Sequence, residues 1–372
     1  MHVTHGKKPS ISLLRSSILF LSLLSIVVAL AACGGSGSGS ASASNTSNGS
    51  STSTCNASTG LTLYSAQGYD SDMAKAFQKQ TGITTKLVDD STGNLLAKIS
   101  AEGNVNPQWD VVWFDGNVTM KSLDDQNALL KWSSPSASNL TTLGQQYVAS
   151  DNSYDPTGLT TVGAIAYNTK HIPTAGLPKD WSDLLKPAYK NLVAMNDPAL
   201  SGPTYPLLAG LGQILGGENQ GKQYFSQLKA NGLQIFQTNN PTLNSVETGA
   251  REFAIVQDSA IYSAIKAGQP INILYPASGV VGLPSVIGIA AQARHQACAK
   301  QFVNWVLSPA GQSVMTHHDP TDGDTYFVPL VKGVTPVVTR RLTGINYVNL
   351  NLSQWSSVEA EYKQWFHTNI VQ

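Results

Sequence analysis

Short apolar stretches alternate with polar turns along the first part of the chain. Alternation over 59–65 predicts a strand, and the helical spacing around 73–77 predicts the helix that follows it. The same order recurs in a strand at 83–88, a helix at 95–102 and a strand at 109–114. Each strand ends in a polar turn that leads into a helix, and ligands bind at that edge of an open α/β sheet. The pattern therefore predicts βαβ units arranged around one crevice.

Two extended segments divide the remaining chain. They cover 157–168 and 271–279, and a second α/β unit with a strand at 253–257 lies between them. A chain that leaves one lobe, builds a second and returns must cross twice, and these segments supply both crossings. The hinges are therefore expected at 158–162 and 271–280.

The length of the chain supports a division into two lobes. A chain of 372 residues exceeds the size at which one hydrophobic core normally suffices. From the two crossings we assign 59–157 and 280–372 to the first lobe and 158–279 to the second. The predicted fold class is α/β, with two lobes joined by two extended hinge crossings.

The N-terminal 32 residues have the pattern of a removable export signal. Basic residues precede an apolar stretch at 18–30, which is too short for a membrane span. The sequence Leu30-Ala31-Ala32-Cys33 resembles a bacterial lipobox, which implies a lipoprotein signal peptide over 1–32 and a lipid on the Cys33 sulfur. The alternative is a plain secretory signal with an incidental cysteine.

A tether follows the signal peptide. Residues 33–58 begin with Cys33 and are rich in Gly, Ser, Thr and Asn without periodicity, so they form no packed core. A lipid at Cys33 would hold the folded part near the outer face of the cell membrane. Cys55 and Cys298 are an even pair in an exported chain and a possible disulfide, and two unpaired thiols are the alternative.

Charge gives little indication of a partner. Charged residues make up 12% of the chain, and Lys plus Arg equal Asp plus Glu at 23 each. The signal peptide holds three of the 23 basic residues and no acidic ones, so the mature chain has 20 against 23. This balance excludes the basic surface that nucleic-acid binding requires. We expect the protein to be a monomer.

The loop at 197–205 is the strongest local indication of a binding site. An apolar run ends at Asp197-Pro198, and small residues then lead into an apolar helix at 207–215. Backbone N–H groups and the hydroxyls of Ser201 and Thr204 would converge at the positive end of that helix. Such a place favours phosphate, phosphonate or carboxylate, although an ordinary helix cap has the same sequence pattern.

Eight segments along the chain, taken together and in their order, resemble the extracellular solute-binding proteins of ABC importers. The resemblance is closest to the members that bind ferric iron, phosphonate or thiamine. The resemblance implies a two-lobed, periplasmic-binding-protein-like clamp, in which each lobe is a doubly wound sheet. It also implies that the lobes close on one small-molecule ligand, which is delivered to the permease of an ABC importer. The segments are 63–67, 77–82, 110–113, 163–169, 180–187, 197–204, 275–279 and 302–312.

The resemblance also implies a set of ligand-binding positions. Hydroxyls at helix N-termini suit a phosphonate or phosphate, and Asp115 or Asp258 can pair with an ammonium group, so the expected ligand is anionic or zwitterionic. For any one of these residues, loop capping is an equally good explanation. The positions are Ser65, Ser91, Thr92, Asp115, Ser201, Thr204, Asp258, Tyr262 and Tyr275.

Ferric iron is the alternative ligand within the same family. Iron-binding members have a histidine after the first of these segments and consecutive tyrosines after the strand at 253–257. This chain has Gly68 at the first place and only Tyr262 near the second. Because ferric iron requires several hard anionic oxygens, we expect an organic ligand, with no metal and no cofactor.

Motifs of common enzymes are absent from the sequence. The chain has no Gly-x-Ser-x-Gly elbow, no phosphate-binding Walker loop and no His-Glu-x-x-His pattern. The dense polar cluster at 317–324 indicates a solvent-exposed turn, and divalent-cation binding is the alternative. We therefore predict that the protein is not an enzyme; the alternative from another class is a secreted hydrolytic lipoprotein.

Overall fold

The computed structural model describes residues 55–56, 58–317, 326–336 and 344–372. The predicted signal peptide, Cys33 and nearly all of the tether lie outside these residues. Most of the polar cluster at 317–324 also lies outside them, since only His317 is described.

Strands and helices alternate along the described residues, as the sequence pattern predicts. The first part contains β1 (Leu61–Ser65), α1 (Asp70–Thr81), β2 (Thr85–Asp89), α2 (Thr92–Glu102), β3 (Val111–Asp115), α3 (Asn117–Asp125) and α4 (Thr142–Gln145). The middle part contains β4 (Tyr154–Asn168), β5 (Val193–Asn196), α5 (Thr204–Leu215), α6 (Glu218–Ala230), β6 (Gln234–Phe236), α7 (Asn239–Glu247), β7 (Phe253–Gln257), α8 (Asp258–Lys266) and β8 (Ile271–Leu274). The last part contains β9 (Val280–Ile289), α9 (Gln296–Val306), α10 (Pro309–Thr316), β10 (Val328–Pro329), β11 (Tyr347–Val348), α11 (Leu352–Ser357) and α12 (Glu359–Phe366).

Eight of the strands in the described residues form one continuous path in the order β2-β1-β3-β9-β4-β7-β5-β6, and β8, β10 and β11 pair with β4 or β9 beside it. At one end β1 pairs in parallel with β2 and β3, and at the other end β5 pairs in parallel with β6 and β7. The long strands β4 and β9 run antiparallel between these two parallel groups. Each parallel group is the sheet of one lobe, and β4 and β9 connect them.

The first hinge candidate lies in β4, but the second is displaced. Residues 158–162 pair with β9, and the rest of β4 continues into the second lobe beside β7 and β8. Residues 271–274 form β8, which pairs only with the second-lobe end of β4. From this pairing we propose that the second crossing is β9 rather than 271–280, because β9 pairs with β3 in the first lobe and with β4 along its length.

The C-terminal part of the chain returns to the second lobe. β10 pairs with β4 at Leu159, near the first lobe, whereas β11 pairs with β9 at Val280 and Val281. Helices α11 and α12 then pack in the same apolar cluster as α5 and α6. The sequence pattern assigns all of 280–372 to the first lobe, whereas from this packing we propose that 347–371 belong to the second.

Apolar side chains cover both faces of each lobe. In the first lobe, one cluster joins α1, α9 and α10 to the sheet, and another joins α2 and α3 to its opposite face. In the second lobe, α5, α6 and α12 cover one face, and α7 and α8 cover the other. Helices on both faces leave the ends of the strands as the place where polar groups collect.

A disulfide joins Cys55 to Cys298, with the two Cα atoms 4.9 Å apart. It ties the chain just before β1 to α9, a helix of the same lobe that lies 243 residues later. None of the helices in the described ranges has the length and apolar character needed to cross a bilayer.

Candidate functional site

A cavity of about 370 Å³ lies between the two lobes, where the strands end and the helices begin. The first residues of α2 and α7 reach it, as does Pro203, the N-cap of α5, so three positive helix ends converge on one space. Its lining residues are Ala66, Gln67, Gly68, Asp89, Asp90, Ser91, Thr92, Asp115, Leu200, Ser201, Gly202, Pro203, Thr238, Asn239, Asn240 and Gln257.

Asp115 lies at the end of β3 and is 6% exposed. Its carboxylate accepts hydrogen bonds from Gln67 Nε2 at 3.0 Å, from Gln257 Nε2 at 2.8 Å and from the Ser285 hydroxyl. Burial raises the pKa of Asp115, and these three donors oppose the rise because they stabilise the charged form. Since Gln67 follows β1 and Gln257 ends β7, this one carboxylate binds groups from both lobes.

The N-terminus of α2 supplies the first-lobe wall. Ser91 is its N-cap, and the Ser91 hydroxyl accepts the N–H of Asn94 at 3.3 Å. The Asp90 carboxylate accepts the N–H of Ser91 at 2.7 Å and the side-chain amide of Asn94 at 2.8 Å. Ser91 and Asp90 are therefore helix-capping residues as well as cavity-lining residues.

The lobes touch directly at the rim of the cavity. The N–H of Gly93 in α2 donates to the carbonyl of Leu200 at 3.3 Å. A Cβ atom at Gly93 would lie 1.9 Å from the Ala199 carbonyl oxygen, and one at Gly202 would lie 2.4 Å from Thr92 Oγ1. These approaches require glycine, and they bring the two lobes into direct contact beside the cavity.

A buried hydrogen-bond network forms the second-lobe wall. Asn196 ends β5 and is 2% exposed; its amide nitrogen donates to Ser201 Oγ at 3.1 Å and to Asn239 Oδ1 at 2.7 Å. The Thr242 hydroxyl lies 2.5 Å from Asn196 Oδ1. The network fixes the loop before α5 and the first residue of α7 side by side at the cavity.

Three of the predicted residues form a separate cluster in the second lobe. The Tyr262 and Tyr275 hydroxyls lie 3.1 Å apart, and the Tyr275 hydroxyl lies 3.2 Å from Asp258 Oδ2. Asp258 also accepts the N–H of Thr161 in β4 at 3.0 Å. The sequence has no tyrosine next to Tyr262, but the fold brings Tyr275 to it, because the segment after β8 lies beside α8.

The structure thus divides the nine predicted positions into three groups. Ser91, Thr92, Asp115 and Ser201 line the cavity. Asp258, Tyr262 and Tyr275 form the neighbouring cluster. Ser65 and Thr204 are 0% and 2% exposed, and neither is among the described residues that line the cavity.

A second buried carboxylate lies behind the first-lobe wall. Asp70 begins α1 and is 2% exposed. Burial is the main cause that raises its pKa to about 7; the Ser65 hydrogen bond lowers this pKa, and the charge of Asp89 raises it again. Asp89 lines the cavity, so this side of the site is a region of negative charge.

The polar groups of the cavity fall into two kinds. Carboxylates of Asp89, Asp90 and Asp115 lie on the first-lobe side beside the N-terminus of α2. The second-lobe side has amides, hydroxyls and the N-termini of α5 and α7, and no carboxylate among the described lining residues. Among the described lining residues none is Lys, Arg or His. Within the described part of the chain, no group of three or more His, Cys, Asp or Glu side chains is placed to hold a metal ion.

Sequence reasoning missed four residues that shape the cavity. Gln67 and Gln257 follow strands, and Asn196 and Asn239 come at a strand end and a helix start. The signal in the sequence that could have identified them is a position just after a strand, because ligands bind at that edge of the sheet. The predicted positions were hydroxyl, phenol and carboxyl side chains, so these neutral amides were not among them.

Comparison with known proteins identifies the family. The family described as bacterial extracellular solute-binding protein matches residues 72–338. A periplasmic protein of Salmonella typhimurium, to which 2-aminoethylphosphonate binding is attributed, is 24% identical over 83% of this chain and 92% of its own length. A Serratia marcescens Fe(3+)-binding periplasmic protein is 24% identical over 70% of this chain and 77% of its own.

A solved structure shares the same fold. The periplasmic binding protein AfuA from Actinobacillus pleuropneumoniae, with fructose-6-phosphate bound, superposes with a TM-score of 0.73. The two chains are 22% identical, and the match covers 84% of this chain and 98% of AfuA. The predicted two-lobed, periplasmic-binding-protein-like α/β fold is therefore confirmed.

The prediction that the protein is not an enzyme is also confirmed, since the family binds solutes for ABC transporters, and the hydrolase alternative is set aside. The chain belongs to the bacterial extracellular solute-binding proteins, which bind small ligands for ABC importers.

Proposed function

We propose that this protein captures a small anionic or zwitterionic organic ligand of the phosphonate type between its lobes and delivers it to an ABC importer. The observation that carries the proposal is the division of polar groups across the cavity. The N-termini of α5 and α7, together with neutral donors, suit a phosphonate on the second-lobe side. Carboxylates on the opposite side suit an ammonium group on the same ligand.

The size of the cavity agrees with a small ligand. A volume of about 370 Å³ is at the lower end for ligand pockets, which span roughly 300–1,000 Å³. The relative from Salmonella typhimurium, to which 2-aminoethylphosphonate binding is attributed, supports the same ligand class. Asp115 is the carboxylate best placed for the ammonium group, because it lies between groups of both lobes.

Calorimetric titration of the mature protein with three probes tests this proposal. 2-Aminoethylphosphonate carries both charges, methylphosphonate carries only the anionic group, and ethanolamine carries only the ammonium group. We expect the zwitterion to bind at least tenfold more tightly than either single-charge probe. Equal or absent binding of all three would contradict the proposed ligand class.

We further propose that the protein acts as a monomer that is anchored by a lipid on Cys33 to the outer face of the cell membrane. The lipobox-like Leu30-Ala31-Ala32-Cys33 and the tether that follows it support this anchoring. In cells, Cys33→Ser should move the protein from the membrane fraction to the soluble fraction. If the variant stays with the membranes, and the intact mass of the native protein shows no lipid, the anchor proposal is wrong.

Ferric iron is a second candidate ligand, and the paired Tyr262 and Tyr275 hydroxyls favour it. Two phenolates with the Asp258 carboxylate are hard anionic oxygens of the type that ferric iron prefers. We expect ferric citrate to give no strong visible charge-transfer band, because these residues do not line the described cavity. A stable coloured complex that is lost in Tyr262→Phe would favour iron over the organic ligand.

A further inference from the structure

The hydrogen-bond directions around Asn196 determine what the second-lobe wall offers to a ligand. Asn196 is fully enclosed, and both sides of its amide are used within the protein. Its two partners at the cavity, Ser201 and Asn239, can each either donate or accept a hydrogen bond. The orientation of the buried Asn196 amide therefore decides whether Ser201 and Asn239 donate a hydrogen bond to the ligand or accept one from it.

The distances assign that orientation. The contact of 2.5 Å between Thr242 Oγ1 and Asn196 Oδ1 has the length of an O–H to oxygen bond, and it is too short for an amide N–H donor. The Thr242 hydroxyl also lies 2.8 Å from the Thr238 carbonyl oxygen, but that carbonyl already accepts the Thr242 N–H, so the hydroxyl hydrogen is assigned to the nearer Asn196 oxygen. The contacts of 3.1 Å to Ser201 and 2.7 Å to Asn239 have the lengths of N–H to oxygen bonds. The Asn196 oxygen thus faces Thr242, and both of its N–H groups face the cavity residues.

Both cavity residues are consequently left as donors. Ser201 Oγ accepts from Asn196, which leaves the hydroxyl hydrogen for another acceptor, and no described residue takes it. Asn239 Oδ1 also accepts from Asn196, which leaves the Asn239 NH₂ group, and no described residue accepts from it. Ser201 and Asn239 line the cavity beside each other.

We infer that Asn196 is a positioning residue that makes the second-lobe wall a set of donors, so that it selects a ligand group with only acceptor oxygens. A phosphonate or carboxylate group meets that requirement, whereas an ammonium group, which only donates, is excluded from this side. This inference rests on the proposed function, since it assigns the anionic end of the ligand to the second lobe.

Asn196→Asp tests the inference because it keeps the shape and removes both donors. The carboxylate accepts from Ser201 and Asn239, so their hydrogens turn away from the cavity. We expect affinity for 2-aminoethylphosphonate and methylphosphonate to fall about ten- to a hundredfold while affinity for ethanolamine is kept or rises.

Asn244→Asp is the matched control, since it adds the same charge to exposed α7 surface and should leave all three affinities unchanged. Equal losses for the anionic and cationic probes in Asn196→Asp would make Asn196 only a structural residue and overturn the inference.

A measurement without ligand separates this inference from the proposed function. In uniformly ¹⁵N-labelled wild-type protein, the side-chain NH₂ of Asn196 should exchange slowly with water and that of Asn239 should exchange quickly. The variants Asn196→Asp and Asn239→Asp assign the two signals. A protected Asn239 amide beside an unprotected Asn196 amide would show the opposite polarity and overturn the inference, whichever probes bind. Failure of all three probes to bind the wild-type protein would instead contradict the proposed ligand class.

Discussion

At the residue scale, neutral side chains shape the binding cavity as much as charged ones do. Asp115 is the buried charge, but Gln67 and Gln257 hold it from opposite lobes. Ser201 is a predicted residue that the structure does place at the cavity, where it keeps its hydroxyl hydrogen for a ligand. Individual hydrogen bonds to the ligand can therefore be tested one at a time.

Ser201→Ala should weaken ligand binding without unfolding the protein. The variant removes a hydrogen bond to a charged ligand group, which is worth about 1.5 to 3 kcal/mol, or about ten- to a hundredfold in affinity. Calorimetry with 2-aminoethylphosphonate measures the change, and urea unfolding checks the fold. Ser226→Ala on exposed α6 surface is the control and should change neither quantity. An unaltered dissociation constant in Ser201→Ala would show that the loop before α5 is only a structural cap.

Asp155 should make the protein less stable as the pH rises. This β4 residue is 6% exposed, and burial raises its pKa to about 7. Between about pH 4 and pH 7 the folded state then binds more protons than the unfolded state, so the free energy of unfolding falls as pH rises, by at most about 4 kcal/mol. Asp70, whose pKa is also raised to about 7, contributes in the same direction.

Urea unfolding at several pH values measures this effect. The wild-type protein should lose stability between about pH 4 and pH 7, and Asp155→Asn should lose less over the same range, because it removes one of the carboxyl groups whose pKa burial raises. Identical pH profiles for the two proteins would show that Asp155 does not titrate in this window.

At the element scale, the N-terminus of α2 is both part of the cavity and the contact point of the lobes. Gly93→Ala should prevent full closure, because its Cβ would meet the Ala199 carbonyl oxygen at 1.9 Å. Within the helix itself alanine is favourable, so the free energy of unfolding should stay equal or rise. Affinity for the ligand should fall by at least about tenfold, since a clamp held open loses its contacts to one lobe.

Gly176→Ala is the matched control for this variant. A Cβ at Gly176 meets its neighbours at 3.7 Å or more, which is ordinary contact, so binding should not change. Wild-type affinity in Gly93→Ala would mean that the Gly93 to Leu200 contact is not needed for binding.

The disulfide between Cys55 and Cys298 should contribute substantially to the stability of the first lobe. It closes a very long loop, and such cross-links stabilise proteins by about 2 to 5 kcal/mol. Cys55→Ser should lower the free energy of unfolding by this amount, while the buried Cys298 stays in place. Reduction of the wild-type protein should give the same loss, and reduction of the variant should give none. A variant as stable as the oxidised protein would rule out this contribution.

The order of elements could be predicted from the sequence, whereas long-range positions could not. Periodicity located β1, α1, β2, α2 and β3 within a few residues, because local spacing reflects which face of each element is buried. It did not place β9 as the second crossing, since strand pairing depends on partners far along the chain. For the same reason the Tyr262 and Tyr275 pair was missed, as no local pattern links α8 to the segment after β8.

At the scale of the whole molecule, the two lobes should move relative to each other when a ligand binds. β4 and β9 are the covalent crossings that the ligand-free protein can bend. At a hundredfold excess over its dissociation constant, a ligand stabilises the folded state by about 2.7 kcal/mol, which raises the melting temperature. Solution scattering should show a smaller radius of gyration with 2-aminoethylphosphonate than without it. Superimposable scattering curves, together with an unchanged melting temperature, would contradict a hinge-bending clamp.

The packing of α11 and α12 in the second lobe has a consequence for biogenesis. Trp355, Tyr362 and Phe366 fill the same core as Tyr205, and the Tyr205 hydroxyl donates to the Trp355 carbonyl, a contact that spans 150 residues. The core of that lobe is therefore incomplete until residues 355–366 are present. A nascent chain emerging on the far side of a membrane cannot complete this lobe before these residues have crossed, so the folding of this lobe must follow their translocation.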